Sequence, residues 1–225
     1  MNNILGILGS FALVFIVLGV AGLLLRTGLV SPGISRKVVH IGVSNWWLFA
    51  MAAIDALWAA AIGPVVFILF NSFSYARSLI PAMDIGAPKE NLGTIYFPIS
   101  LLTAVLLCYG GLFPLHAGAV GILVMGYGDG GAALFGTRFG CRSLRIFGFQ
   151  HTKTLAGSAA MLLISSSVTA AVAFFAQPEM RFPALLLIAV LTGLFAAGVE
   201  LFTPRGIDNL TVPILTTIFY GSMWI

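Results

Sequence analysis

Residues 38–70 read VVHIGVSNWWLFAMAAIDALWAAAIGPVVFILF, a stretch whose only formal charge is Asp55. A membrane-spanning helix needs about 20 mostly apolar residues, within a range of about 17–25. This stretch is too long for one span and suffices for two short ones that reverse at Asp55, giving helices near 39–54 and 57–75. The division matters beyond these residues, because it sets the side of every later loop.

Other uncharged runs occupy 1–25, 91–128, 154–178, 182–199 and 209–225. The run 91–128 is broken at Tyr109-Gly110-Gly111-Leu112-Phe113-Pro114, where Gly and Pro favour a turn, so it yields helices about 95–109 and 117–135. With 4–25, 157–176, 184–202 and 211–224 the count is eight. Pro213 then sits near the start of the last helix, where its missing N–H is tolerated. With the N-terminus outside, the inner loops hold Arg26, Arg36, Lys37, Arg77, Lys89, Arg138, Arg142, Arg145, Lys153 and Arg205, leaving only Arg181 outside. Were 38–70 a single span, most Lys and Arg would fall outside, against the positive-inside tendency.

Composition agrees. Of 225 residues, 60% are hydrophobic and 8% charged, whereas a soluble domain carries roughly a quarter charged residues. The expected fold class is all-α, a polytopic integral membrane protein with one membrane domain over 1–225. A net charge of +4 would suggest nucleic acid in a soluble protein; here basic residues mark inner loops, and no nucleic-acid partner is expected. The first run lacks a basic n-region and reads as a retained helix, not a signal peptide. Cys108 and Cys141 suggest neither a disulfide framework nor a metal cluster.

The few polar residues gather on one predicted face, the cytoplasmic one: Arg36, Lys37, His40, Lys89, Glu90, Asp129, Lys153, Glu200, Asp208 and Asn209. Ionised groups near membrane helices are costly and are usually paired or functional, so Asp129 and Glu200 stand out. Gly126-Tyr127-Gly128-Asp129-Gly130-Gly131 formally matches GxGxxG, but that fingerprint acquires meaning only after a strand in a βαβ unit. What it offers is a backbone that phosphate can approach at Gly128 and Gly130, beside a carboxylate suited to Mg²⁺. Close helix packing would explain the glycines but not Asp129. The following basic loop, with Arg138, ends at a helix start, where Lys153, Thr154 and Ser158 face an anion-favouring terminus; Thr154 serves equally as a helix cap. Lys37 and His40, three apart, share a helical face, and an interfacial imidazole suits phosphate binding or proton movement. Asn209 is a second cap candidate. His116, Glu179 and Asp55 fall on the outer side. Neither a Walker A sequence nor the protein-kinase set occurs.

Taken in order, Arg36-Lys37-x-x-His40, Lys89-Glu90-x-x-Gly93-Thr94-Ile95-Tyr96-Phe97-Pro98, Gly128-Asp129-Gly130, Lys153-Thr154-x-x-Gly157-Ser158 and Glu200 with Asp208-Asn209-Leu210-Thr211-Val212-Pro213 resemble the polyprenol kinase family of dolichol, phytol and CTP-dependent diacylglycerol kinases. The resemblance spans about 35–213. Ala156 is similar to phytol-type members, where dolichol kinases often carry Glu. The resemblance implies transfer of the terminal phosphate of a nucleoside triphosphate, typically CTP, to a lipid alcohol.

From phosphoryl-transfer chemistry, Mg²⁺ is expected on Asp129 with Glu200 or Asp208, and the triphosphate on Lys153, Arg36 and Lys37. His40 and Asp208 are both candidates for the base. Two rival classes remain: cytidylyl transfer to phosphatidate, and a transporter, although the chain shows no clear repeat of the kind transporters commonly carry.

Overall fold

The computed structural model describes residues 2–77, 92–140, 143–146, 149–204 and 206–225. Helix α1, Asn3–Arg26, begins where the Asn2 side chain accepts the Ile4 N–H. Helix α2, Pro32–Ser44, is capped by Ser31 with proline in its first turn, a strong start signal. It therefore begins earlier than charge alone suggested, and Arg36 and Lys37 lie on a helix, not in a loop. The chain breaks at Asn45, whose side chain donates to the Ile41 carbonyl at 2.8 Å, and resumes as α3, Trp46–Ala53. The expected helix 39–54 is thus two helices. The reversal around Asp55 is present: the Asn3 side-chain oxygen accepts the Asp55 and Ala56 N–H groups at 3.0 and 3.4 Å.

Helices α4, Leu57–Arg77, and α5, Gly93–Tyr109, follow. The turn after α5 places Gly111 at φ +85, a conformation that costs glycine little. A nearly continuous rod comes next: α6, Leu115–Leu123, a π-helical segment, Val124–Asp129, and α7, Gly130–Phe139. The basic loop then carries an antiparallel ribbon, β1, Ser143–Ile146, and β2, Phe149–Thr154, with Arg145 opposite Gln150. The sequence reading contained no strand here. Three long elements complete the chain: α8, Leu155–Ala176, α9, Phe182–Phe202, and α10, Asp208–Gly221. Pro213 lies inside α10, because the helix starts at Asp208 and not at 211.

The all-α, polytopic membrane class holds, the short ribbon aside. Among the described residues five helices are long and apolar enough to cross a membrane, and Gly93–Tyr109 is a shorter apolar one. The two remaining expected spans correspond to the α2–α3 pair and to α10.

Between helices in lipid there is little hydrophobic driving force, so close packing and small residues at the contacts hold them together. Large apolar side chains accordingly point outward, as do Phe15, Leu69 and Phe175. The rod is the centre: 78% of its apolar window is buried, against 22–33% for the other four long helices. Glycines let neighbours reach it. A Cβ at Gly118 would strike the Trp47 ring, and one at Gly121 would strike Thr217 and the Pro213 carbonyl of α10. Gly121→Val is therefore expected to lower the thermal unfolding midpoint in detergent by several degrees, since overpacking costs about 1–3 kcal/mol. Gly22→Ala, with open space around its Cβ, is expected to leave the midpoint in place.

Candidate active site

Ion pairs and close contacts bring together α2, the end of the π segment and the α7 that follows it, the last residues of β2, the end of α9 and the start of α10. Two ion-paired clusters form there. On α2, Lys37 pairs with Asp129 at the end of the π segment. A π turn closes its hydrogen bonds one residue further along the chain than an α turn and occurs frequently at functional sites; here it ends on the only carboxylate of the rod. On β2, Lys153 bridges two carboxylates, pairing with Glu200 of α9 and lying 3.2 Å from Asp208 Oδ2 of α10.

These groups are taken largely out of water. Glu200 is 3% exposed, Asp208 5% and Asp129 8%. Buried ions persist only when paired and hydrogen-bonded, and the turn before α10 meets that need for Asp208. Its Oδ1 accepts the backbone N–H groups of Gly206 and Asn209, both at 3.0 Å, and the Asn209 side chain at 3.2 Å. Gly206 sits at φ +95, which lets the backbone fold back over that carboxylate. Asn209 is thus inside the first turn of α10 and does not cap it; Ile207 occupies the cap position.

Burial opposes the charge on Lys153, but the carboxylates of Glu200 and Asp208 outweigh it and raise its pKa above the ordinary 10.5. A raised pKa in the folded state means that this ion cluster contributes its full stability below the ordinary lysine value and loses it as pH climbs through the elevated one. The difference in thermal midpoint between the wild type and Lys153→Met is expected to stay flat from neutral pH to about 10 and to shrink above it.

Other candidates fall as follows. His40, on α2, packs against Phe97 of α5 with ring centroids 4.5 Å apart and the rings tilted at 47°, and its buried Nε2 has no hydrogen-bond partner in the structure. Thr154 caps α8, its hydroxyl accepting the Gly157 N–H at 3.1 Å. The Ser158 hydroxyl, one turn on, is buried without a partner. Arg36 and Arg138 are exposed. A Cβ at Gly128 would meet Met161 and Ser165, and one at Gly130 would meet Ile41, so neighbouring helices, not open space for phosphate, lie against these two glycines. Lys89 and Glu90 lie outside the described residues.

The sequence reading did not single out Ser165, fully buried on α8 with an unpartnered hydroxyl beside Gly128. Its seven-residue spacing from Ser158, which returns a helix to the same face, was the available signal.

A cation site built from protein alone is not evident: among the described residues no three His, Cys, Asp or Glu side chains cluster closely enough to hold a metal ion. Glu200 Oε2, however, is a buried carboxylate oxygen with no hydrogen-bond partner. Mg²⁺ is usually held by one or two carboxylates, with substrate phosphates and water completing its shell, and that donor set is present.

Comparison with known proteins gives a consistent set. The chain is 35% identical over 203 residues to a phytol kinase of Synechocystis sp., covering 86% of this chain and 81% of that protein. It is 30% identical over 208 residues to a probable chloroplastic phytol kinase of Triticum aestivum, covering 84% of this chain and 67% of the relative. For a probable chloroplastic phytol kinase 1 of Oryza sativa subsp. japonica the identity is 29%, over 84% of this chain and 64% of the relative. No family profile matches the chain, and no solved structure matches it.

Proposed function

The chain belongs to the polyprenol kinase family that includes the phytol kinases, and from that premise we propose that it phosphorylates an isoprenoid alcohol at the cytoplasmic membrane face, with CTP as donor. The observation that carries this reading is the convergence of two lysines and three carboxylates, Lys37 with Asp129 and Lys153 with Glu200 and Asp208, at one end of a bundle whose outer surface is apolar.

Phosphoryl transfer asks a protein mainly for positioning and for stabilisation of charge on the phosphates. Lys153 and Lys37 supply that charge, with exposed Arg36 beside them, and Ser158 offers an unused hydroxyl at a helix start that favours anions. Asp129 and Glu200 would hold Mg²⁺, which would supply positive charge to neutralise the triphosphate. Lys37 then exchanges its carboxylate partner for a phosphate oxygen. Of the two base candidates, His40 has the free atom: Nε2 takes the proton of the acceptor hydroxyl as that oxygen attacks the terminal phosphorus, the bond from that phosphorus to the β–γ bridging oxygen breaks, and CDP leaves. Both Asp208 oxygens are occupied, and its role is to position Lys153.

The test is a matrix of acceptors and donors on purified protein in lipid with Mg²⁺. Phytol, shorter and longer prenols and diacylglycerol are each offered with CTP, UTP, ATP and GTP. Phytol with CTP is expected to give the largest kcat/KM. A preference for diacylglycerol would reassign the acceptor, and alcohol-independent flux without phosphorylation would point to transport.

A further inference from the structure

A groove of about 400 Å³ lies between α3, α6 and α8 and reaches Tyr127 of the π segment. We propose that it seats the isoprenoid tail of the acceptor and sets how long a tail the enzyme accepts, an inference that rests on the kinase reading above. The walls are apolar, with Leu48, Met51, Ala119, Leu123, Val168 and Val172 among them. Small side chains at Ala119 and Ala171 leave the space open.

Polar side chains mark both ends. At the inner end the Tyr127 hydroxyl donates to Asn45 Oδ1 at 3.0 Å. Tyr127 is two positions before Asp129, so the π segment presents one residue to the groove and the other to Lys37. A tail in the groove brings its hydroxyl to the membrane depth of that ion pair. At the outer end stands His116, 8% exposed. Its Nε2 lies 3.3 Å from the Gln177 side-chain nitrogen, and its buried Nδ1 has no hydrogen-bond partner. From Tyr127 to His116 the rod rises roughly 16 Å at about 1.5 Å per residue, near half of the ~30 Å hydrocarbon core. An alkyl chain continued past His116 would have to run over the His116–Gln177 pair, and covering polar groups with hydrocarbon is costly. The groove therefore suits a tail of a few isoprene units and rejects a much longer one at its outer end.

Two variants and one probe test this. Ala171→Trp fills the groove from an exposed position; KM for a four-isoprene alcohol is expected to rise about tenfold with kcat little changed, the sign of lost uniform binding, while a two-isoprene alcohol is unaffected. His116→Leu is expected to raise kcat/KM for a nine-isoprene alcohol about tenfold relative to the four-isoprene one. A four-isoprene alcohol with a diazirine at its tail end is expected to label peptides containing 116–119 and 168–176. Equal responses at all tail lengths, or labelling confined to other helices, would overturn the assignment. A wild-type protein that phosphorylates no alcohol but labels at these peptides would instead remove the kinase reading and leave the groove as a lipid site.

Discussion

Asp129→Asn is expected to lower kcat/KM for alcohol phosphorylation by at least a hundredfold while the protein still folds and inserts. The substitution keeps the shape, exchanges one acceptor oxygen for an amide donor and removes one charge. That charge has two proposed duties, holding Mg²⁺ and balancing Lys37, and removal of one preorganised electrostatic group typically costs about 10²–10³ in rate. Asp129 is the rod's only carboxylate and sits where the π segment ends, so no neighbour on the same helix can replace it. Raising Mg²⁺ is expected to recover part of the loss, which a purely structural role for Asp129 would not produce. Near-normal turnover by the variant would remove Asp129 from the site.

Lys153→Met should be the most disruptive single change, affecting stability as well as activity. It strands Glu200 and Asp208, both buried, and removal of one partner of a buried ion pair typically costs about 3–5 kcal/mol. The two effects can be separated. Adding Glu200→Gln and Asp208→Asn to Lys153→Met removes the stranded charges and is expected to restore most of the thermal midpoint, because replacing a whole buried ion cluster with neutral groups is often close to neutral. Turnover is expected to stay below about a hundredth of wild type, since the phosphates have lost their cation and Glu200→Gln removes a proposed Mg²⁺ ligand. If stability and activity return together, Lys153 is structural. Lys153→Arg is expected to retain partial activity, the planar guanidinium being a poor substitute for a compact ammonium.

Much of the fold was legible because a bilayer imposes a length on every apolar run. The reversal at Asp55 and the turn at Gly111 were both readable, one from a charge and one from a Gly–Pro cluster. Boundaries were less so. Charge drew the start of the second helix near 39, whereas the local cap at Ser31-Pro32 sets it at 32, which moves Lys37 onto a helix that can aim it at Asp129. The break at Asn45 and the π turn at 124–129 leave no periodic trace in the sequence. The ribbon at 143–154 belongs to a polar loop in which the alternation that marks a strand is weak.

The candidate site was legible as a set of residues and not as a set of pairs. Scarcity of charge made Lys37, Asp129, Lys153, Glu200 and Asp208 conspicuous, because an ion near hydrocarbon needs a reason. Which lysine meets which carboxylate depends on contacts between positions as far apart as 37 and 129, and a single sequence carries no such information. The glycines around Asp129 show the converse. Their pattern resembles a phosphate loop, yet Met161, Ser165 and Ile41 occupy the space beside Gly128 and Gly130, which is what small residues commonly do between membrane helices.

The most direct test of the central claim follows the fate of the donor's phosphates. Purified protein in lipid is given CTP labelled at either the γ- or the α-phosphate, with Mg²⁺ and phytol. The proposed chemistry predicts label in the lipid from γ-labelled CTP alone, with CDP formed in equal amount. Label in the lipid from the α-phosphate, with pyrophosphate released, would contradict it and make the reaction nucleotidyl transfer.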